Sequence, residues 1–377
     1  MGESGEGPLS GFIELALCGD VMLGRGVDQI LPHPGDPRLY ESNVNSALSY
    51  VALAEAAHGP IPRPVDFTYV WGDALEALQA ARPDLLIVNL ETSVTRSRDY
   101  LPKGINYKMN PENVACLTAA KVDCCVLANN HVLDWGWRGL AETLETLEQA
   151  GIRTSGAGND AEQAAAPAVF DVAGKGSVWV FAFGSEDSGI PADWAAGRGK
   201  PGVNFLGGIS EESVSRIAGK LRKLKRPGTV FVASIHWGGN WGYRIPDEHR
   251  RFAHGLIDQA GFDLVHGHSS HHAKGIEVYK EKLILYGCGD FLNDYEGIGG
   301  YERFRSDLAV LYLPRLSWPE GKLVACELMP FQIRNFRLSR ASNRDVAWLR
   351  DRLDRESAKL GGRIVPMNGS SLALQWR

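Results

Sequence analysis

The sequence predicts an α/β layered fold, and three observations carry that prediction. Apolar runs of strand length alternate with segments whose leucines and alanines recur at helical spacing. The strand-like runs close on Gly-Asp, Asn or His, so polar residues collect at one end of each. With 44% apolar and 23% charged residues in 377, the chain has the composition of a globular protein with a sizeable core.

Taken in order, "FIELALCGD" (12–20), "PDLLIVNLE" (83–91) and "VDCCVLANNH" (122–131) read as buried strands. "GDALEALQAARPD" and "WRGLAETLETLEQAG" read as helices between and after them, the second closed by Gly151 at the position a C-cap favours. Strands follow at "SVWVFAFG" (177–184), "TVFVASIHWG" (229–238) and "FDLVHGH" (262–268), the last two separated by a helix-like "DEHRRFAHGLIDQAG". "GIEVYKEKLILYGCGD" (275–290) reads as a hairpin turning at Lys280 to Lys282, and two further β-rich runs precede a late helix near 343–360 that opens on Ser342-x-x-Asp345. The expected organisation is a disordered tail over 1–11, a main domain over 12–315 and a C-terminal β/helical extension over 316–377 packed on it. Within the main domain, residues 31–70 read as a long irregular insertion.

A net charge of -5 leaves no broad basic face, so nucleic acid is not an expected partner. No signal-peptide pattern and no apolar span of membrane length occurs, which makes a cytoplasmic protein without membrane contact the expectation. The six cysteines lack CxxC spacing and sit in apolar runs, as unpaired core thiols do. Nothing in the chain speaks to its oligomeric state.

In open α/β sheets ligands bind beyond the carboxyl ends of the strands. The residues delivered there are Asp20, Asn89, Glu91, Asn130, His131, His236, His266, His268 and His271. Carboxylate, amide and imidazole together suit one or two divalent ions such as Mn, Fe or Zn. Arg25 and the loop "KGINYKMNP" (103–111), with Lys103, Tyr107 and Lys108, offer groups for an anionic peptide or small-molecule substrate, and Trp237 offers a pocket wall. Asp134 stands where it can orient His131.

Six ordered motifs, "GDVMLGR", "VNLETSVT", "ANNHVLDWG", "SIHWGGNW", "HGHSSHH" and "LYGCGDFL", give the chain a resemblance to the CapA family of poly-γ-glutamate capsule synthesis proteins over roughly 12–315. That resemblance implies a calcineurin-like metallophosphoesterase fold, α/β/β/α. It further implies metal ligation by Asp20, Glu91 as the bridging carboxylate, Asn130, His236, His268 and His271, with His131 as the acid beside the ions. Two departures stand out. Met22 occupies the place of the first motif's second ligand, and the last motif has an extra residue between His268 and His271, so Ser269 is an alternative match.

Two enzymatic functions follow, with Asp20, Glu91, His131, His268 and His271 as catalytic groups in either. One is metal-assisted hydrolysis or transfer on a peptide, polyglutamate-like or phosphoester substrate. The other, implied by CapA-like members, is epimerisation of a ribosomal lasso-type peptide at an α-carbon without metal or cofactor. A non-catalytic assembly protein ranks below both, because a scaffold gains nothing from so many buried charges.

Overall fold

The computed structural model describes residues 11–377. The expected tail therefore lies outside the described residues, except Gly11, which opens strand β1 (Gly11–Val21).

Two sheets form the centre. The first sheet contains β1, β2 (Leu85–Leu90), β3 (Cys124–Val126) and β4 (Arg153–Ser155), all parallel. The second contains β5 (Ala168–Val172), β6 (Gly176–Gly184), β7 (Thr229–His236), β8 (Leu264–His268) and the hairpin β9 (Ile276–Tyr279) and β10 (Lys282–Leu285), in the order β9-β10-β8-β7-β6-β5. Strands β6, β7, β8 and β10 are parallel, so their carboxyl ends share one edge.

Period-two alternation sorts each strand's apolar residues between layers. Leu15, Leu17, Ile87, Cys124 and Val126 meet Val178, Val180, Val230, Val232 and Leu264 between the sheets. The residues between them in sequence, Ala16, Cys18, Val88 and Cys125, face a second core shared with α2 (Asp73–Ala81) and α3 (Gly136–Gln149). On the far side, Phe231, Ala233 and Ile235 pack against Val214, Ile217, Phe252 and Leu256 of α4 (Glu211–Leu221) and α5 (Asp247–Asp258). The result is helix, sheet, sheet, helix, the α/β/β/α layering expected. Each fully buried Leu, Ile, Val or Phe contributes about 1.5–3 kcal/mol.

Two expectations need correction. The segment 31–70 is not wholly irregular, because Leu48–His58 forms helix α1, packed through Tyr50, Val51 and Ala54. Its Leu48 and Leu53 point to solvent, so apolar residues surround it instead of forming one stripe, and periodicity could not reveal it. The boundary at 315/316 cuts through β12 (Leu308–Trp318), which continues β11 (Asp290–Leu292) in chain order and pairs antiparallel with both β1 and β13 (Leu323–Arg334). A ladder that runs on past Pro314 makes the C-terminal strands an integral part of the first sheet. The late helix Asn343–Ala358 is capped as read, with the Ser342 side chain accepting from the Asp345 N–H.

All six cysteines are free and buried. No helix among the described residues is long and apolar enough to cross a membrane.

Candidate metal centre

The strand ends of both sheets converge. Asp20 ends β1, Asn89 and Glu91 end or follow β2, and His236 lies beside His268 in the β7–β8 ladder. Strand β11 adds Asp290, which pairs in parallel register with Asp20. This approach is possible because two Gly-Asp dipeptides face each other. A Cβ on Gly19 would lie 1.7 Å from the Gly289 carbonyl oxygen, and the Asp20 N–H donates to that same oxygen at 3.1 Å.

Fixed acceptors assign the imidazole tautomers. The Cys18 carbonyl can only accept, so His266 Nε2–H donates to it at 2.7 Å, leaving Nδ1 to accept from Ser234 Oγ at 3.0 Å. With its proton committed there, Ser234 Oγ accepts from His268 Nε2–H at 2.9 Å. His268 Nδ1 is therefore a bare lone pair. On the other strand, Asn130 Oδ1 accepts from His236 Nε2–H at 3.1 Å, which leaves a lone pair on His236 Nδ1 as well. Those two Nδ1 atoms are 2.9 Å apart, with Asp20 Oδ1 4.0 Å from His268 Nδ1. Burial holds His236, His266 and His268 below the usual histidine range, so their rings are neutral. Two facing lone pairs beside a carboxylate repel unless a cation lies among them.

Asp20, His236 and His268 offer ligand atoms all within 4.8 Å of one another, and so do Asp20, His271 and Asp290. Asp20 belongs to both groups. Its Oδ1 accepts from Asn89 Nδ2 at 2.7 Å and its Oδ2 from the Ser269 N–H at 3.2 Å, which leaves it aimed but short of positive charge. Burial, then the neighbouring Asp290, pushes the Asp20 carboxyl up; burial, then Asp20 and Asp290, does the same to Glu91. Among the described residues, the salt-bridge partners of Asp20, Glu91 and Asp290 are all imidazoles. Three buried carboxylates without a lysine or arginine partner fit a site built for a cation.

Two His–Asp pairs flank this cluster. His131 Nδ1–H donates to Asp134 Oδ2 at 2.7 Å, and His271 Nδ1–H to Asp290 Oδ1 at 2.9 Å. Burial lowers His131 to about 4 despite Asp134. Burial opposes charge on His271 too, but there Asp290 and Asp20 outweigh it and its pKa is raised.

Residues 14–295 match the family described as bacterial capsule synthesis protein PGA_cap. The chain belongs to the PGA_cap family. The resemblance drawn from its six motifs is borne out. A probable polyglutamine synthesis accessory protein of Mycobacterium tuberculosis is 46% identical over 355 residues, spanning 94% of this chain and 93% of that one. The PGA biosynthesis protein CapA of Bacillus subtilis is 27% identical over 302 residues, 80% of this chain and 67% of that one. Among solved structures, a phosphatase from Mycoplasma pneumoniae aligns with a TM-score of 0.46 at 11% identity, covering 86% of this chain and 95% of that one.

Within this PGA_cap chain the sequence-derived site residues divide. Asp20, Glu91, Asn130, His131, His236, His268 and His271 come together as expected, but the carboxylate common to both donor groups is Asp20, not Glu91. Glu91 Oε1 stands 3.8 Å from His131 Nε2 and 3.9 Å from His236 Nε2. Lys103 belongs to the site, its Nζ 2.8 Å from Asp134 Oδ1, and the Tyr107 ring meets His131 edge-on at 4.5 Å. Arg25 does not offer a free guanidinium, because Asp294 takes Nε and one terminal nitrogen while Glu41 and the Tyr50 hydroxyl take the other. Lys108 turns away onto the Trp135 ring, 3.7 Å from its centroid. Trp237 is core: its indole N–H donates to the Tyr286 carbonyl and its ring stacks on His249 and Tyr286. Sequence reasoning missed Asp290, although its Gly-Asp repeats the Gly19-Asp20 signal at another strand edge. His266 is a bridge between the sheets, with both ring nitrogens occupied.

A cation bound at Asp20 would compete with the protonation that burial and Asp290 favour there, so any loading is expected to fall as pH falls. Metal content after equilibration at about pH 5 should be less than half that at about pH 8, as read by elemental analysis of the desalted protein.

Proposed function

We propose that this chain is a metal-dependent hydrolase or transferase acting on an amide or ester bond of a peptide-like substrate. The observation that carries the reading is the tautomer chain from Cys18 to His268, which with the Asn130–His236 bond presents two imidazole lone pairs to one point beside the Asp20 carboxylate. Asp20, His236 and His268 would hold one divalent ion, and Asp20 and Asp290 a second together with His271, whose Nδ1 would give up the proton it donates to Asp290. Mn, Fe or Zn suits the mixed oxygen and nitrogen donors. Bound there, such an ion supplies Lewis acidity to the substrate carbonyl or phosphoryl oxygen and lowers the pKa of water.

The chain's own groups perform the remaining work. Asp134 and Lys103 hold the His131 ring with Nε2 turned towards Glu91, where it can take a proton from the attacking group and return it to the leaving group. Glu91 Oε1 stands 3.8 Å from that nitrogen, on the same side of the ring. Asn89, fixed by Asn129 Nδ2 at 3.0 Å, holds Asp20 in place.

A second reading rests on the two His–Asp pairs and on Met22, whose buried sulfur accepts from the Tyr295 hydroxyl at 3.6 Å where a ligand would be expected. Two acid-base pairs on one pocket suit epimerisation at an α-carbon, one removing a proton and the other returning one. Elemental analysis joined to incubation of a peptide substrate in heavy water separates the two. Near-stoichiometric metal with cleaved product is the expected result. Deuterium at one α-carbon of an intact peptide, formed by metal-free protein, would replace the hydrolase reading with the epimerase one.

A further inference from the structure

A cavity of about 570 Å³ opens directly beside the cluster, with His271 and Asn240 at its inner end. Its outer wall is apolar and aromatic. Trp241 stacks on Tyr301 with ring centroids 4.2 Å apart and planes 8° from parallel. Tyr301, Ile298 and Ile105, from two separate loops, are 46%, 44% and 46% exposed around the same space. Large apolar side chains left open to water beside a reaction centre mark a surface that a ligand covers.

The charges in this wall point the same way. Arg305 is held by Asp307 and Asp345, His58 by Glu296, Arg25 by Asp294 and Glu41, and His271 by Asp290. Among the described lining residues, every arginine and histidine already faces a carboxylate. A run of ligand carboxylates would lose its water here and gain no cation in return. An uncharged ring would gain the flat Trp241–Tyr301 face and the isoleucine walls.

We propose that this cleft binds an uncharged aromatic side chain of a peptide-like substrate, adjacent to the bond that reacts, and that it discriminates against polyglutamate. The proposal rests on the reading of the cluster as the reaction centre and names what that centre is given to act on.

Isothermal titration of the full chain with N-acetylphenylalanine amide and, separately, with a short γ-linked glutamate oligomer tests it. The aromatic amide is expected to bind saturably, and the oligomer to show no saturable heat at about tenfold higher concentration. Tyr301→Ser, at an exposed position that leaves the core intact, should weaken the aromatic amide at least about fivefold, and Trp241→Ala more. Tighter binding of the oligomer, or an unchanged Kd in both variants, would overturn the proposal. Elemental analysis of the same samples keeps it apart from the metal reading. Aromatic binding by protein that takes up no ion would uphold the cleft and remove the hydrolase, whereas full ion content without aromatic binding would remove the cleft alone.

Discussion

Asp20→Ala should abolish loading of both proposed ion positions at once. Its carboxylate is the one group present in both sets of converging donors, so its removal leaves His236 and His268 as a pair and His271 and Asp290 as another. Affinity is expected to fall by more than about a hundredfold, beyond what loss of a group behind a ligand causes. Glu91→Gln belongs beside it as a contrast. Because Glu91 enters neither set, that variant should keep affinity within about tenfold of the parent, while the turnover that depends on His131 declines. Metal content by elemental analysis and affinity by titration calorimetry report both. Equal loss in the two variants, or greater loss in Glu91→Gln, would return the bridging position to Glu91. The Asp20 variant should stay folded, since removing one of three crowded carboxylates relieves repulsion in the ion-free protein.

Gly19→Ala should be the most destabilising small substitution in the site. The added methyl would meet the Gly289 carbonyl oxygen at 1.7 Å, and because that oxygen is backbone there is no flexible side chain to swing aside. Either β1 or the Gly289 turn must shift, and the Asp20 N–H bond to that carbonyl goes with it. A loss of more than about 4 kcal/mol is expected, measured by urea unfolding of the ion-free protein. Gly208→Ala is the control, because nothing lies within 4 Å of its Cβ position. That change should fall within about 0.5 kcal/mol of the parent. A similar result for Gly19→Ala would mean the two strands separate easily, contrary to the buried ladder.

Much of this architecture is legible in the chain because each apolar run stops at a polar residue, and parallel strands put all those stops on one edge. The same logic places Asp20, His236 and His268 without knowledge of any contact. It fails where the deciding partner is remote. Arg25 looks available until Asp294 and Glu41, from other segments, are seen to occupy its fork. Trp237 flanks a motif, and only packing distinguishes a pocket wall from a core indole. The helix Leu48–His58 was hidden because its apolar residues do not keep to one face, and Asp290 because a residue that opens a short strand gives a weaker signal than one that closes a long strand.

The pairing of Asp20 with Asp290 also has a temporal consequence. The two residues are far apart in sequence, and β12 and β13 of the same sheet follow the second of them. Domains of this kind gain structure as they emerge, and of the two donor sets that of Asp20, His236 and His268 is complete once β8 has been made, whereas that of Asp20, His271 and Asp290 waits for β11. Each donor set draws on Asp20 from the first sheet and on histidines at the end of β7 or β8 or just after it in the second, so neither set can assemble until the two sheets have met.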